Sequence, residues 1–292
     1  MNMDNLRRRY PFVRAREIGR SVLGRPLMVL LIGEGKRNVF VNAAHHANEY
    51  ITSLVLLRFA WEYCGAVEKG LSLGGVDARA LYRGATLHLM PLVNPDGVDL
   101  VCGALEDPIA LAQARRIAAR YPSVPFPGGW KANIRGVDLN LQYPAGWELA
   151  RANKARIGVT APAPRDFVGE CALSEPESAA VFNYTLTSDF DLTLSYHTQG
   201  KVIYWKYLDI EIKNAWKLAL EFRDLSGYEV EEVPYASGFA GYKDWFIWRF
   251  RRIGYTIEAG EGVSPLPLDQ LDEIYANNLG ILTRALQAAA EI

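Results

Sequence analysis

Apolar positions along the chain alternate between short continuous runs and longer stretches at helical spacing. Leu27 to Ile32 and Val39 to Ala44 are mostly apolar and partly β-branched, which predicts two buried strands that pair as neighbours. From Ile51 through Tyr63 the apolar repeat is helical, and a Gly-rich loop follows at residues 70–75. Residues 86–92 predict another strand, ended by the turn signal Asn94, Pro95, Asp96, Gly97. A helix over Asp107 to Tyr121 leads into a long Pro/Gly-rich loop, residues 121–148. Ser174 to Glu177 reads as a capping box with Pro176 in the first turn, launching a helix to Leu186. Further on come a strand ending at His197, a turn at Gly200 and a second strand. Helices over Ile210 to Leu225, Tyr242 to Arg252 and Leu268 to Ile292 complete the chain, with a strand from Gly254 to Ile257 among them. Strands interleaved with helices predict an α/β fold, and one domain spanning residues 1–292 is expected.

Composition narrows the classes of function. Half of the 292 residues are hydrophobic, ample for a large core. A net charge of -1 argues against a phosphate-binding surface, so no nucleic-acid partner is expected. Arg7, Arg8 and Arg9 are followed by Tyr10, Pro11 and Arg14 where the apolar core of an export signal would begin. The apolar runs near the start fall far short of the roughly 20 residues of a membrane span. A soluble, cytoplasmic protein without a membrane partner is the expectation. Cys64, Cys102 and Cys171 are odd in number and contain no CxxC, which suits reduced thiols, with Cys64 in the core.

The chemistry gathers at strand ends. His46 and Glu49 lie three apart where a strand turns into a helix, so an imidazole and a carboxylate can converge on one cation. That motif alone is common, and it requires a third ligand and a base. His197, at the end of another strand, repeats the topology, and Glu258 ends a third. Two imidazoles and one carboxylate, with water in the fourth position, make a catalytic zinc arrangement, and Glu258 is the candidate base. In the long loop, Asn133, Arg135, Asp138 and Asn140 are candidates for a substrate wall. His88, mid-strand between leucines, reads as a core histidine.

Taken together, His46-x-x-Glu49, the loop Gly136 to Asn140, His197 after its strand, Asp244-Trp245 and Tyr255 to Glu258 resemble the zinc carboxypeptidase family typified by carboxypeptidase A. More closely, HHANEYIT, NPDGVDL, WKANIRGVDLN, SYHTQG, AGYKDWFI and EAGEGVSPLP resemble the bacterial γ-D-glutamyl-meso-diaminopimelate peptidases. The resemblance implies a mixed central sheet flanked by helices and one zinc ion per chain. His46, Glu49 and His197 would be its ligands, and Glu258 the general base. It also implies that Asp138 orients the first histidine, Arg135 stabilises the oxyanion, and Tyr235 lies near the mobile tyrosine over the cleft.

Two departures from the family bear on the substrate. Leu141 stands where typical members carry an arginine that clamps the terminal carboxylate, leaving Asn140 as the surviving part of that anchor. Lys243 stands at the selectivity-pocket position, where a cation would meet the distal carboxylate of diaminopimelate. The implied activity is hydrolysis of γ-D-glutamyl-meso-diaminopimelate bonds in murein peptides. The alternatives are a zinc carboxypeptidase or amidohydrolase for another acidic peptide, and a wall-peptide binder that does not cut.

Overall fold

Two strands, Ala85–Met90 and Leu192–His197, are buried along their whole length, as a sheet covered on both faces requires. They belong to a computed structural model that describes residues 2–291. In chain order the first half comprises α1 (Met3–Arg9), β1 (Arg14–Arg20), β2 (Pro26–Ile32), β3 (Arg37–Ala43), α2 (Ile51–Lys69), β4 (Ser72–Leu73), β5 (Val76–Asp77), α3 (Ala78–Gly84), β6 (Ala85–Met90), α4 (Pro95–Cys102) and α5 (Pro108–Ala118). The second half comprises α6 (Trp147–Arg156), α7 (Pro176–Ser188), β7 (Leu192–His197), β8 (Val202–Tyr204), α8 (Ala215–Ser226), β9 (Glu229–Glu231), α9 (Tyr242–Phe250), β10 (Ile253–Glu258) and α10 (Leu271–Glu291). Eight strands form one mixed sheet in the order β1-β2-β6-β3-β7-β10-β8-β9, and β4 and β5 form a small separate ribbon.

The four central strands, β6, β3, β7 and β10, are parallel. From β3 the chain crosses through α2 and returns to β6 on one side, whereas β7 and β10 continue on the other. The carboxyl ends of β3 and β7 therefore flank a topological switch point, the place where open α/β sheets leave a crevice.

Strand alternation divides the side chains between two cores. Val39, Val41, Leu192, Leu194, Tyr196, Tyr255 and Ile257 pack on one face with residues of α2, α8 and α10. Phe40 on the other face packs with Val181 of α7 and with Trp245 and Phe246 of α9. The registers Asn42↔Ser195 and Glu258↔His197 carry the second face up to the strand ends, so its polar members climb toward the crevice.

Three sequence expectations change here. The strands β2 and β3 are not neighbours, because β6 lies between them, antiparallel to β2 and parallel to β3. Residues 94–97 start α4 instead of a free turn: the Asn94 side chain accepts from the Gly97 N–H, with Pro95 at the first helical position. No capping box forms at α7 either, since Ser174 turns to Gln142 and Glu175, and Glu177 is drawn inward to the Val22 N–H and Asn133.

Separating β2 from β3 forces their connection across the start of β6. Gly33 has φ +130°, and a Cβ there would lie 2.3 Å from the Ala85 carbonyl oxygen. Gly33→Ala is therefore expected to lower stability by about 1–3 kcal/mol, read as a fall in the denaturant midpoint. An unchanged midpoint would mean that the crossing is looser than this geometry.

Candidate metal centre and active site

The segment after β3 does not run straight into α2. His46 keeps an extended backbone, Ala47–Glu49 forms one 3-10 turn, and α2 begins at Ile51. This turn aims His46 and Glu49 back over the strand ends, and the Ala47 N–H fastens it to the Lys131 carbonyl at 2.9 Å. On the facing strand, His197 ends β7 on the same face.

These three side chains converge. His46 Nδ1 lies 2.9 Å from Glu49 Oε1, His197 Nδ1 lies 2.9 Å from Glu49 Oε2, and the two Nδ1 atoms are 3.2 Å apart. All three residues are buried, and their ligand atoms lie within 4.8 Å of one another. A tetrahedral zinc with bonds of ~2.0–2.2 Å spaces its ligands by roughly 3.3–3.6 Å, so the nest fits such an ion with little adjustment. Two imidazole nitrogens turned toward each other and toward one carboxylate are a donor set that a cation satisfies. The other nitrogen of His46, Nε2, meets Asp138 Oδ1 at 3.0 Å, which fixes the ring so that Nδ1 faces the nest. Among the described residues this is the one group of three or more such side chains able to hold a metal.

Charge in the nest is balanced tightly. Burial works against ionisation of Glu49, yet His46 and Lys131 hold its carboxyl well below the usual range. Burial also disfavours a charged His46, but Glu49 and Asp138 outweigh it and hold the imidazole up at about 9. Asp138 is likewise held low against its burial by His46. Glu258 is different: burial pushes its carboxyl up, and the opposing pull of His197 only partly offsets this.

A cleft of about 340 Å³ opens above, lined among others by His46, Asp138, Asn140, Leu141, Lys243 and Glu258. The structure thus brings together most of the residues singled out from sequence. Asn140 Oδ1 accepts from the Tyr242 N–H at 3.0 Å, so the side chain also fixes the start of α9. Lys243 is buried instead of facing solvent, with 3% exposure.

Three candidates, Arg135, Tyr235 and Asn133, are not brought in. Arg135 follows the tight turn at Asn133, whose side-chain oxygen accepts from the Arg135 and Val137 N–H groups. The turn swings the guanidinium outward, half-exposed and 3.6 Å from Glu175, against a separate hollow lined by Val22, Leu23 and Ala110. Tyr235 is 65% exposed, packs edge-on against Phe239 and faces a neighbouring hollow. Asn133 is buried as a bridge to Glu175 and Glu177, and His88 is held between Tyr184 and Asn38 inside the protein.

The cation that sequence reasoning missed is Lys131. Its Nζ sits 2.9 Å from Glu49 Oε1 and it lines the cleft. Its backbone is pinned by the bonds to Ala47 and to the Pro164 carbonyl. The signal in the sequence was the buried aromatic beside it: Trp130 is fully enclosed, which anchors this part of the loop, whereas Arg135 lies beyond the turn.

Comparison with known proteins bears on this geometry. The zinc carboxypeptidase family matches residues 1–279. Gamma-D-glutamyl-L-diamino acid endopeptidase 1 of Lysinibacillus sphaericus is 41% identical over 285 residues, spanning 98% of this chain and 70% of that protein. An uncharacterized Bacillus subtilis protein, YqgT, is 42% identical over 279 residues, spanning 95% of this chain and 73% of its own length. Carboxypeptidase A from Helicoverpa armigera shares the fold, with a TM-score of 0.72 over 99% of this chain and 72% of that one at 21% identity.

The His46 environment makes zinc uptake pH-dependent. Without metal the imidazole keeps its proton up to about pH 9, and a ligating nitrogen must be free of it. Zinc binding at pH 7.5 is expected to release about one proton, measured by calorimetry in buffers of different ionisation enthalpy. The release should fade above pH 9. A release independent of pH from 7 to 10 would contradict a protonated His46 in the metal-free protein.

Proposed function

This chain belongs to the zinc carboxypeptidase family and is a zinc metallopeptidase, and on that footing we propose that it hydrolyses γ-D-glutamyl-diamino acid amide bonds in murein peptides. The observation that carries the proposal is the pairing of a His46, Glu49, His197 nest with 41% identity to a γ-D-glutamyl-L-diamino acid endopeptidase over nearly the whole chain. We take residues 1–292 as one catalytic domain acting in the cytoplasm. Among the described residues, no helix is long and apolar enough to cross a membrane.

In this reading His46, Glu49 and His197 hold the zinc and Asp138 keeps His46 oriented. Bound there, zinc supplies a Lewis acid that makes water a nucleophile near neutral pH and polarises the scissile carbonyl. Glu258 lies at the cleft end of β10, paired in register with His197. Its carboxylate takes the proton of the attacking water and delivers it to the departing amine, a task suited by a carboxyl that burial has made more basic. Lys131, and not Arg135, supplies the positive charge beside the developing oxyanion, because its ammonium is the one held against the nest.

The cleft is lined by charges of both signs: Lys131, Lys154, Arg165 and Lys243 on one side of the balance, Asp138, Asp166, Asp244 and Glu258 on the other. Leu141 also lines it and offers no bidentate grip on a terminal carboxylate, which speaks against ordinary carboxypeptidase action. A binder without turnover would have no use for a base at the cleft end of β10 such as Glu258.

Two substitutions test these roles. Glu258→Gln is expected to keep its zinc, by elemental analysis, while kcat on a γ-D-glutamyl-diamino acid peptide falls by about 10²-fold or more. Full turnover with zinc bound would remove Glu258 from the mechanism. Lys131→Ala should lower kcat by about 10²–10³-fold, whereas Arg135→Ala should leave it nearly unchanged. The reverse order would restore Arg135.

A further inference from the structure

A short strap, residues 164–167, is stitched along the loop that carries Lys131 and Asp138. The Pro164 carbonyl accepts from the Lys131 and Ala132 N–H groups at 2.8 and 3.0 Å, and the Phe167 carbonyl accepts from the Asp138 N–H at 2.8 Å. Between them the Asp166 N–H donates to Asp138 Oδ2 at 3.3 Å. Arg165 is therefore set among the contacts that place Lys131 and Asp138, and it lines the cleft with both.

Positive charge is in excess on this strap. Lys131 is paired with Glu49 and Lys243 with Asp244, whereas Lys154 and Arg165 share the single carboxylate of Asp166. Arg165 meets that carboxylate through Nε, at 3.0 Å, and its terminal nitrogens make no hydrogen bond among the described residues. Four N–H donors of the guanidinium thus remain for an incoming group, on a side chain that is half-exposed at the cleft. Burial works against a charged Lys131, Glu49 and Asp138 restore it, and the Arg165 guanidinium repels it. An anion brought between two cations that repel each other is attracted by both.

Resting on the peptidase reading above, we propose that Arg165 binds the free α-carboxylate of the γ-glutamyl residue, on the acyl side of the scissile bond. A γ-linkage consumes the side-chain carboxyl, so the α-carboxylate of the same residue stays ionised beside the bond to be cut. A guanidinium grips such a group through two parallel N–H···O bonds, which a lysine does not reproduce. Leu141 offers no such grip to the leaving residue, and Arg165 supplies one to the acyl residue instead.

The test gives the zinc-loaded protein two peptides: L-Ala-γ-D-Glu-meso-diaminopimelate, and the same peptide with the glutamyl α-carboxylate converted to a carboxamide, which keeps the shape and removes the charge. The free acid is expected to exceed the carboxamide in kcat/KM by about tenfold or more. Arg165→Gln leaves Asp166 paired with Lys154, and in it the two values should draw together to within about threefold, through loss on the free acid. Equal values in the unsubstituted protein, a preference that survives Arg165→Gln, or an equal fall on both peptides overturns the inference and leaves the peptidase reading standing. Cleavage of neither peptide by the unsubstituted protein overturns both.

Discussion

A carboxylate sealed from water must find its compensation inside the protein, and Glu49 meets that constraint from four directions. His46 and Lys131 reach one oxygen, and His197 and the Thr198 N–H reach the other. These donors come from the end of β3, the end of β7 and the long loop before Asp138, segments far apart in sequence. An isolated buried charge is costly, whereas one surrounded by donors binds together the elements that supply them. The same convergence makes the nest a metal site, because two of the groups around Glu49, the His46 and His197 imidazoles, are nitrogen donors aimed at one point.

Sheet topology turns this local constraint into a cleft. Since the chain leaves β3 toward one side and β7 toward the other, no crossover covers the ends between them. Strand alternation puts His197 and Glu258 in register on one face, so the proposed ligand and the proposed base lie side by side without a dedicated loop. The 3-10 turn Leu139–Leu141 and the first turn of α9 complete the lining, with Leu141 from the one and Lys243, neutralised by Asp244, from the other.

How much of this was legible in the sequence depended on whether the signal was local. Strand ends announce themselves through apolar runs that stop at a polar residue, and His46, His197 and Glu258 were found that way. Strand order was not legible, because the apolar run of β2 pairs as readily with β3 as with β6, and only the α2 crossover decides. Lys131 and Arg135 carry the same charge four residues apart; the turn at Asn133 aims one inward and the other out. Likewise, Ser174 to Glu177 has the spacing of a cap, but Glu177 is drawn inward by the Val22 N–H and Asn133. Lys243 was readable as a cation at the cleft, and its neutralisation by the very next residue emerged only from the packing of α9.

The central claim is a zinc-dependent cut at a γ-D-glutamyl bond, and mass spectrometry of the products tests it most directly. The zinc-loaded protein would be incubated with L-Ala-γ-D-Glu-meso-diaminopimelate, beside an α-linked peptide with a free carboxylate and a chelator control. Release of diaminopimelate from the γ-linked peptide alone, abolished by the chelator, is the predicted result. Cleavage of the α-linked peptide in preference would contradict the account and make this an ordinary carboxypeptidase, despite Leu141 in its cleft.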